Sequence, residues 1–318
     1  MKDSLQQINQ HINETIIVLI NYNKYDDTLH CLKSLAKQTM TNYKIVLVDN
    51  ASQNNSCEKI LDYLNKEGID YTDTKYDFTE KSYQGIPARM SQLSFIRSNH
   101  NGGFAYANNV AIRYVHEIMQ SKGHDYWLLN TDLDCDEKAL ESLVMARNNK
   151  ANSSIGIFGS LIYDFDNRSQ IQAIGGSINR FFATSSNLTN LSDKAKIDYI
   201  IGASFYITHE CFEKTGYMFE DYFLYFEETD YCFMAARKGF GIQLVKDSII
   251  YHKQSGSSAS TQIDILQLRN RLLFAQRNGL STFGVRLGLI VSVVNRLLRG
   301  QFDRILPILK LIFTQSIS

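Results

Sequence analysis

The feature that most constrains this chain is an apolar run of strand length that ends in two carboxylates. Tyr126–Leu129 is aromatic and apolar throughout, and Asp132 and Asp134 follow shortly after it. In an open α/β sheet, ligands bind beyond the carboxyl ends of the strands, where loops carry the polar groups. Two carboxylates at this spacing suit a hard divalent cation, Mg²⁺ or Mn²⁺, which takes oxygen ligands and shares them with substrate phosphates. The alternative is a polar turn that caps the next helix.

Two apolar runs of the same kind come earlier in the chain, and each ends in polar residues. Thr15–Asn21 is rich in β-branched residues and opens into Asn21-Tyr22-Asn23, and Lys44–Val48 ends in Asp49-Asn50-Ala51-Ser52. Such runs are typical of buried parallel strands. Helices are predicted over 26–38 and 56–66. This β-α-β-α order predicts the first half of a doubly wound, nucleotide-binding sheet.

A third predicted strand, Leu93–Ile96, leads into a segment with two adjacent glycines, Gly102 and Gly103. Glycines at a strand-to-helix turn allow the backbone to approach a ligand closely, and the N-terminus of the helix favours an anion. A plain turn is the alternative. The preceding stretch 68–92 shows neither a helical nor a strand period, so we expect it to be a surface insertion.

A second acidic stretch lies in the C-terminal half, where the aromatic run 222–226 leads directly into Glu227, Glu228 and Asp230. An acid among so many aromatic side chains can have a raised pKa and act as a general base. Acids in the first turn of a helix also complement its dipole, which is the structural alternative. His252 ends a later predicted strand and is either a third metal ligand or a structural histidine.

Composition excludes several classes of protein. The 318 residues include 33 basic and 33 acidic side chains, which gives no electrostatic case for binding nucleic acid. Five scattered cysteines indicate a reducing compartment rather than a disulfide framework or a zinc site. The polar residues 1–13 do not resemble a secretory signal, and no apolar run is long enough to cross a membrane. We therefore expect a cytoplasmic protein.

Together and in this order, the motifs resemble the inverting nucleotide-sugar transferases of glycosyltransferase family 2. The similarity is strongest to the rhamnosyltransferase-like enzymes of bacterial polysaccharide synthesis, and it covers about residues 14–275. It is carried by Asn21-Tyr22-Asn23, Val48-Asp49-Asn50-Ala51-Ser52, Asn101-Gly102-Gly103-Phe104 with Asn108-Asn109, Leu129-Asn130-Thr131-Asp132-Leu133-Asp134, Phe226-Glu227-Glu228-Thr229-Asp230, His252 and Arg269-Asn270-Arg271-Leu272-Leu273.

The resemblance implies the GT-A fold, a Rossmann-like and mostly parallel sheet flanked by helices, followed here by a C-terminal helical extension. It implies that Asp49 bonds the nucleotide base and that Asp132 and Asp134 bind the cation on the donor diphosphate, with His252 completing that site. The donor-binding residues that it implies are Asn21, Tyr22, Asn23, Asp49, Asn101, Gly103, Phe104, Asn109, Asn130 and Asp132.

The resemblance also implies a catalytic base, and here the chain departs from the family pattern. Glu228 stands where the family usually has the aspartate of a Glu-Asp pair. A glutamate keeps the carboxylate but reaches further by one methylene, so Glu227 or Asp230 could share or take over the role. A carboxylate that accepts the proton of an attacking hydroxyl suffices for a single inverting displacement.

We predict a polar segment 1–13, a catalytic domain 14–260 with a nucleotide-binding half 14–134 and an acceptor half 135–260, and a basic helical region 261–318. From residue 265 onward, the sequence contains eight basic residues and one acidic residue, Asp303. The apolar segments 283–298 and 305–313 are typical of helices that lie in an anionic membrane surface. Packing on the catalytic domain or a homodimer contact are the alternatives.

The predicted function is a metal-dependent inverting glycosyltransferase at the inner face of the cell membrane. It would move a sugar from dTDP-rhamnose or a UDP-sugar to a saccharide or lipid-linked acceptor in the synthesis of a cell-surface polysaccharide. Two alternatives remain at this point. One is a sugar nucleotidyltransferase, which also joins a nucleotide-binding sheet to metal-binding carboxylates. The other is a catalytically inactive scaffold that binds a nucleotide sugar.

Overall fold

The computed structural model describes residues 13–191, 196–253 and 260–314. The predicted N-terminal segment 1–13 therefore lies, except for its last residue, outside the described residues. The helices are α1 Tyr25–Leu35, α2 Ser56–Lys66, α3 Gly103–Arg113, α4 Ala139–Asn148, α5 His209–Thr215, α6 Glu227–Arg237, α7 Thr261–Arg277, α8 Thr282–Leu298 and α9 Ile305–Phe313. A π-helical turn, Tyr114–Ile118, continues α3, and single 3₁₀ turns lie at Lys150–Asn152, Glu220–Tyr222 and Phe302–Arg304.

The strands are β1 Thr15–Asn21, β2 Tyr43–Asn50, β3 Tyr71–Asp77, β4 Ser82–Gln84, β5 Leu93–Ser98, β6 Asp125–Leu129, β7 Leu133–Cys135, β8 Ile155–Asp164, β9 Ile171–Ala173, β10 Gly175–Asn179, β11 Thr184–Leu188, β12 Ser204–Ile207 and β13 Gly241–His252. Within the described ranges, all but β10 and β11 join one sheet, in the order β4-β3-β5-β2-β1-β6-β12-β8-β13-β7, with β9 beside β8. Strands β3, β5, β2, β1 and β6 run parallel. Their carboxyl ends therefore meet at one edge of the sheet.

Alternate residues of the central strands supply two cores, one on each face of the sheet. In β1, Ile16 and Val18 face the core covered by α3, α6 and α7, whereas Ile17 and Leu19 face the core covered by α1, α2 and α4. Because side chains of a strand alternate between its faces, a strand that is apolar at every position fits a sheet covered on both sides. The predicted strands and helices of the first half are confirmed in this arrangement.

The stretch 68–92 corrects the sequence analysis. It was expected to have no strand period, but Tyr71–Asp77 pairs in parallel with β5 and then folds back as β4. Thr74 and Tyr76 are buried while Asp73 and Lys75 face solvent, so the period of two is present. Charged side chains on the exposed face make this period of two hard to recognise in the sequence, and such side chains are common on strands near the edge of a sheet.

The C-terminal helices pack on the catalytic domain and on one another. Their predicted spans 283–298 and 305–313 are confirmed as α8 and α9. Leu272 and Phe274 of α7 are fully buried in the core that α3 and α6 share. Asp264 of α7 binds Arg296 at 2.6 Å and Arg304 at 3.2 Å, which ties α7 to α8 and to the turn before α9. None of the helices in the described ranges has the length and apolarity needed to cross a membrane.

Candidate active site

A cavity of about 820 Å³ opens at the carboxyl edge of the parallel strands. Its size lies within the range of small-molecule sites. Six of the residues predicted to bind the donor line it, namely Tyr22, Asn101, Gly103, Phe104, Asn130 and Asp132. Sequence analysis missed other lining residues, among them Lys24, Asp27 and Lys253. Lysines on surface loops are too common for their presence alone to have marked a site.

The ends of β1 and β2 form a rigid network beside this cavity. Asn21 Nδ2 donates to Asp49 Oδ2 at 2.6 Å, and Ser52 donates to the same carboxylate through its backbone N–H at 2.9 Å and its hydroxyl at 2.7 Å. Thr28 donates to Asn21 Oδ1, and the backbone N–H of Asn23 donates to Ser52 Oγ. Asn21 and Asp49 are almost completely buried. Donor binding by Asn21 and base binding by Asp49 stay predictions, because the structure shows only that these side chains hold the ends of β1 and β2 together.

Asn109, another predicted donor-binding residue, lies elsewhere. It is fully buried on α3, where its amide donates to the Met218 carbonyl at 2.7 Å and to Glu220 Oε1 at 2.8 Å. Its Oδ1 accepts the backbone N–H of Met218 at 3.0 Å. The side chain thus holds the segment that follows α5 against α3.

Asn101 and Gly103 shape the turn between β5 and α3. Asn101 Oδ1 accepts the Asn50 amide at 2.9 Å and the Gly103 N–H at 3.1 Å. Gly103 has φ +87°, and a Cβ there would lie 2.0 Å from the Phe223 carbonyl oxygen. Only glycine fits this position, because the conformation is left-handed and the neighbouring backbone leaves no room. The close approach lets Phe104 donate its N–H to Phe223 O at 2.8 Å.

Asp132 and His252 meet at one side of the cavity. Their Oδ1 and Nε2 atoms are 3.1 Å apart, although the residues are 120 positions apart in the chain. Strand β7 brings them together, because it pairs antiparallel with the end of β13, with Leu133 opposite His252. The backbone N–H of Lys253 also donates to the Asp132 carbonyl at 3.0 Å.

The hydrogen bonds around His252 fit a cation ligand. Gln172 Nε2 donates to the His252 carbonyl at 3.3 Å, which turns Gln172 Oε1 toward His252 Nδ1 at 2.8 Å. In that orientation Gln172 Oε1 accepts from Nδ1, which leaves Nε2 facing Asp132 Oδ1, where it either donates to the carboxylate or, without a proton, can bind a cation. An imidazole nitrogen beside a carboxylate is a donor set that Mn²⁺ and related divalent ions accept. Within the described ranges, no group of three or more His, Cys, Asp and Glu side chains is placed to hold a metal ion.

Asp134, the other predicted metal ligand, has different neighbours. Arg168 donates to its Oδ2 at 2.6 Å, and His30 Nε2 lies 3.7 Å from its Oδ1. Asp134 lines a separate cavity with Arg168 and Tyr251. The structure thus places Asp132, but not Asp134, at the wall of the larger cavity.

The three predicted candidates for the base lie in the first turn of α6. Glu227 is 2% exposed, and its Oε1 has no hydrogen-bond partner. Burial, together with the charge of Glu228, raises the pKa of Glu227 well above its ordinary value. Burial also raises the pKa of Glu228, although the backbone N–H groups of Glu228, Gly202 and Thr229 partly oppose the shift.

Gly202 lies against Glu228, and its neighbour Ala203 is hydrogen-bonded to the cavity wall. A Cβ on Gly202 would lie 3.5 Å from the Glu228 carboxyl carbon, so the open side of this glycine faces the carboxylate. The next residue, Ala203, accepts the backbone N–H of Asn130, which lines the cavity.

Asp230 is enclosed by the C-terminal helix. It is 1% exposed, and it accepts Arg277 Nη2 at 3.0 Å and the Asn278 amide at 2.6 Å. The Arg277 guanidinium also lies 3.4 Å over the Phe219 ring. With both carboxylate oxygens occupied, Asp230 holds α7 on α6.

We expect Arg277→Met to lower the free energy of unfolding by about 3 kcal/mol, because it leaves a buried carboxylate without its counter-ion. Urea unfolding measures the change. Arg97→Met is the matched control, since Arg97 makes a two-bond pair with Asp73 that is about one-third exposed. Pairs of that kind contribute about 0–1 kcal/mol. Equal losses in the two variants would contradict the structural role given to Asp230.

A family model for glycosyl transferase family 2 matches residues 16–216. This is more than half of the chain, and it includes β1, β2, α3 and Asp132. The chain belongs to glycosyltransferase family 2. The matched range ends before Glu227, Glu228 and His252, so the family assignment and the roles of those three residues rest on different observations.

Proteins similar to this glycosyltransferase agree with that assignment. The low-salt glycan biosynthesis hexosyltransferase Agl10 of Haloferax volcanii is 22% identical over 269 residues, which are 82% of this chain and 75% of that protein. The mannosyltransferase PcManGT of Pyrobaculum calidifontis, solved with GDP-Man and Mn²⁺, superposes with a TM-score of 0.54 at 12% identity. The match covers 84% of this chain but only 64% of the mannosyltransferase, less than two thirds of its length.

S. aureus TarS, solved as a fragment with UDP-GlcNAc, superposes with a TM-score of 0.54 at 15% identity, over 86% of this chain and 69% of the fragment. At these identities the structural likeness establishes the fold. The predicted GT-A fold, with its mostly parallel sheet and flanking helices, is confirmed. The rhamnosyltransferase-like subgroup named in the sequence analysis is not tested by these matches.

Proposed function

We propose that this glycosyltransferase moves a hexose from a nucleotide-sugar donor to a hydroxyl group of a saccharide or lipid-linked acceptor, with inversion at the sugar carbon. The observation that carries the proposal is Asp132 in the wall of the cavity with His252 3.1 Å from it. Glu228 lies against Gly202, whose neighbour Ala203 is hydrogen-bonded to Asn130 of the same wall. The names of the similar proteins add support. One is a hexosyltransferase, and the solved structures hold GDP-Man or UDP-GlcNAc.

In the proposed reaction, the acceptor oxygen attacks the anomeric carbon of the donor sugar. The bond from that carbon to the diphosphate breaks, and the nucleoside diphosphate leaves with the electron pair. Glu228 accepts the proton of the attacking hydroxyl, and its raised pKa makes it a stronger base than an ordinary glutamate. No covalent bond to the enzyme forms, so one displacement inverts the sugar carbon.

We propose Asp132 and His252 as ligands of one Mg²⁺ or Mn²⁺ ion, with Gln172 fixing the histidine ring. When bound, such an ion supplies Lewis-acid stabilisation of the charge on the leaving diphosphate. Lys24 and Lys253 add cationic side chains to the same cavity. Lys253 pairs with Asp27 at 2.5 Å, which holds its ammonium group at the wall.

The test is the release of nucleoside diphosphate from a panel of dTDP-rhamnose, UDP-glucose, UDP-GlcNAc and GDP-mannose, with Mn²⁺, Mg²⁺ or EDTA. We expect metal-dependent release of UDP, GDP or dTDP from one donor, with a higher rate when an acceptor is present. Release of pyrophosphate would indicate a nucleotidyltransferase instead. Tight binding of a donor without release, across a panel of saccharide and lipid-linked acceptors, would indicate an inactive scaffold.

We also propose that helices α8 and α9 rest on an anionic membrane surface. Their outer faces, with the turn between them, expose large apolar side chains, at Phe283, Leu287, Ile290, Val291, Val294, Leu297, Leu298, Phe302, Leu306, Leu309 and Phe313. Neither helix contains an acidic residue, and Arg299 and Lys310 are exposed beside the apolar side chains. An apolar patch rimmed by cations fits the surface of a bilayer that contains anionic lipids.

A hairpin from the acceptor half extends the same surface. Strands β10 and β11 pair antiparallel, and their connection carries the exposed Phe181 and Phe182. This tip packs on α8 at Gly284, where a Cβ would lie 2.1 Å from the Phe181 carbonyl oxygen. The aromatic tip therefore lies beside Phe283 of α8. A lipid-linked acceptor at that surface would be held next to the catalytic domain.

We expect the protein to sediment with vesicles of phosphatidylcholine and phosphatidylglycerol, and less with phosphatidylcholine alone. Leu298→Glu with Phe313→Glu should weaken that binding by about tenfold or more, because each side chain is 81% exposed and would lose its burial in the bilayer. Met145→Glu is the control, an exposed apolar residue of α4 on the opposite face of the sheet. Absence of vesicle binding with a stable dimer in light scattering would instead assign the surface to a second copy of the chain.

A further inference from the structure

The segment Tyr222–Phe226, here called the site loop, has an unusual backbone. Phe223, Tyr225 and Phe226 have φ of 65°, 74° and 79°, in the left-handed region that glycine ordinarily occupies. A large aromatic residue adopts such a conformation only where surrounding contacts impose it. Three of them within four residues require strong external constraints.

Asn270 of α7 supplies those constraints. Its side chain is completely buried, and its Nδ2 donates to the carbonyls of Tyr222 at 2.7 Å, Leu224 at 2.8 Å and Tyr225 at 3.1 Å. Arg269 donates to Asn270 Oδ1 at 3.0 Å, and the same guanidinium donates to the Asp221 carbonyl at 2.8 Å. An amide whose oxygen accepts from arginine must turn its NH₂ group toward the loop.

The site loop connects the cavity to the candidate base. Phe223 and Leu224 line the cavity, and the Phe223 carbonyl accepts the Phe104 N–H at the start of α3. Phe226 directly precedes Glu227 and Glu228 in α6. A change in the backbone of this loop therefore moves the cavity wall and the start of α6 together.

We infer that Asn270 is a positioning residue that sets the site loop and thereby fixes the Glu228 carboxylate relative to the bound donor. The inference rests on the proposed function, because it assigns Glu228 to catalysis. Asn270 does not touch the cavity and acts through the backbone that it holds. A purely structural role, in which Asn270 only docks α7 on the domain, is the alternative that the experiment must separate.

The experiment compares Asn270→Ala with the wild type by hydrogen–deuterium exchange and by steady-state kinetics. We expect faster amide exchange in the peptide spanning 222–233 and unchanged exchange in α1, α2 and α4. We expect kcat to fall about 100-fold, because a misplaced base loses most of its contribution. The dissociation constant of the nucleoside diphosphate product should change by less than about tenfold, because the loop forms only part of the cavity wall and the Asp132 side is unchanged. Gln267→Ala, at an exposed position of the same helix, should match the wild type in all three measurements.

Arg269→Met is a milder second variant in case Asn270→Ala does not fold. It removes the guanidinium that orients the amide, and we expect the same pattern with a fall in kcat of about threefold to tenfold. Unchanged kcat in the folded variants, or faster exchange spread evenly over the chain, would overturn the inference. Hydrogen–deuterium exchange does not require an active enzyme. A wild-type protein without activity would therefore count against the proposed function, whereas faster exchange in residues 222–233 of Asn270→Ala would still show that Asn270 fixes the site loop.

Discussion

Asp132→Asn is expected to reduce metal-dependent release of nucleoside diphosphate by about 1,000-fold. The variant removes the charge of the carboxylate that lies in the cavity wall 3.1 Å from His252, the two side chains proposed to bind the cation. A ligated cation contributes several kcal/mol to a transition state that develops charge on a diphosphate, and each 1.36 kcal/mol is about tenfold in rate. Binding of Mn²⁺, followed by electron paramagnetic resonance, should weaken in parallel.

Asp134→Asn is the matched control for that variant. It makes the same chemical change two residues further on, at a carboxylate that pairs with Arg168 in another cavity. We expect it to keep most of the activity and of the Mn²⁺ affinity. A loss as large as that of Asp132→Asn would show that both carboxylates bind the ion, as the sequence predicts, and that Arg168 is displaced when the site is filled.

Glu228→Gln is expected to lower kcat by about 100-fold to 10,000-fold, the usual range for loss of a general base. The amide keeps the size of the side chain and cannot accept the proton of the attacking hydroxyl. The pH profile adds an independent test. A base acts when it is deprotonated, and burial raises the pKa of Glu228. Wild-type activity should therefore fall as the pH drops through that raised pKa, at a higher pH than for an ordinary glutamate, and the residual activity of Glu228→Gln should lack this limb.

Two further variants, Glu227→Gln and Glu228→Asp, test whether Glu228 itself is the base. Glu227→Gln should have a small effect, because burial and the charge of Glu228 raise the pKa of Glu227 and so favour its neutral form, which an amide resembles. Glu228→Asp restores the residue usual in the family and should retain activity if the carboxylate alone matters. Two results together would assign the base to Glu227. Glu227→Gln would lose as much activity as Glu228→Gln, and the activity of Glu228→Gln would still fall at low pH as that of the wild type does.

The sequence predicted the parts of the fold that depend on local pattern. The apolar runs of β1, β2 and β6 are buried strands, and six predicted donor-binding residues meet at one cavity because the carboxyl ends of parallel strands share an edge. β3 escaped prediction because its outward-facing side chains are charged. The strand that ends at His252 is longer than its apolar run suggests, because β13 continues from Gly241 through a register shift between Val245 and Ile249.

The contacts that decide residue roles could not be predicted, because they join distant segments. Asn109 belongs to a motif that resembles the family, yet its side-chain amide donates to the Met218 carbonyl and to Glu220. Gln172 supports His252 from a polar stretch that shows no pattern of its own. Such pairings depend on the three-dimensional course of the chain, which a periodicity or a short motif does not encode.

The strand order bears on the construction of hybrid enzymes from related transferases. The two predicted halves of the catalytic domain, 14–134 and 135–260, share one sheet. β12 of the second half pairs antiparallel with β6 of the first, and β7, which spans the boundary, pairs with the end of β13. A chimera joined at residue 134 would therefore bring foreign strands into the centre of the sheet and place a foreign histidine beside the native Asp132. The two predicted halves cannot be exchanged as separate modules unless the strands that pair across the boundary, β6 with β12 and β7 with β13, are exchanged together.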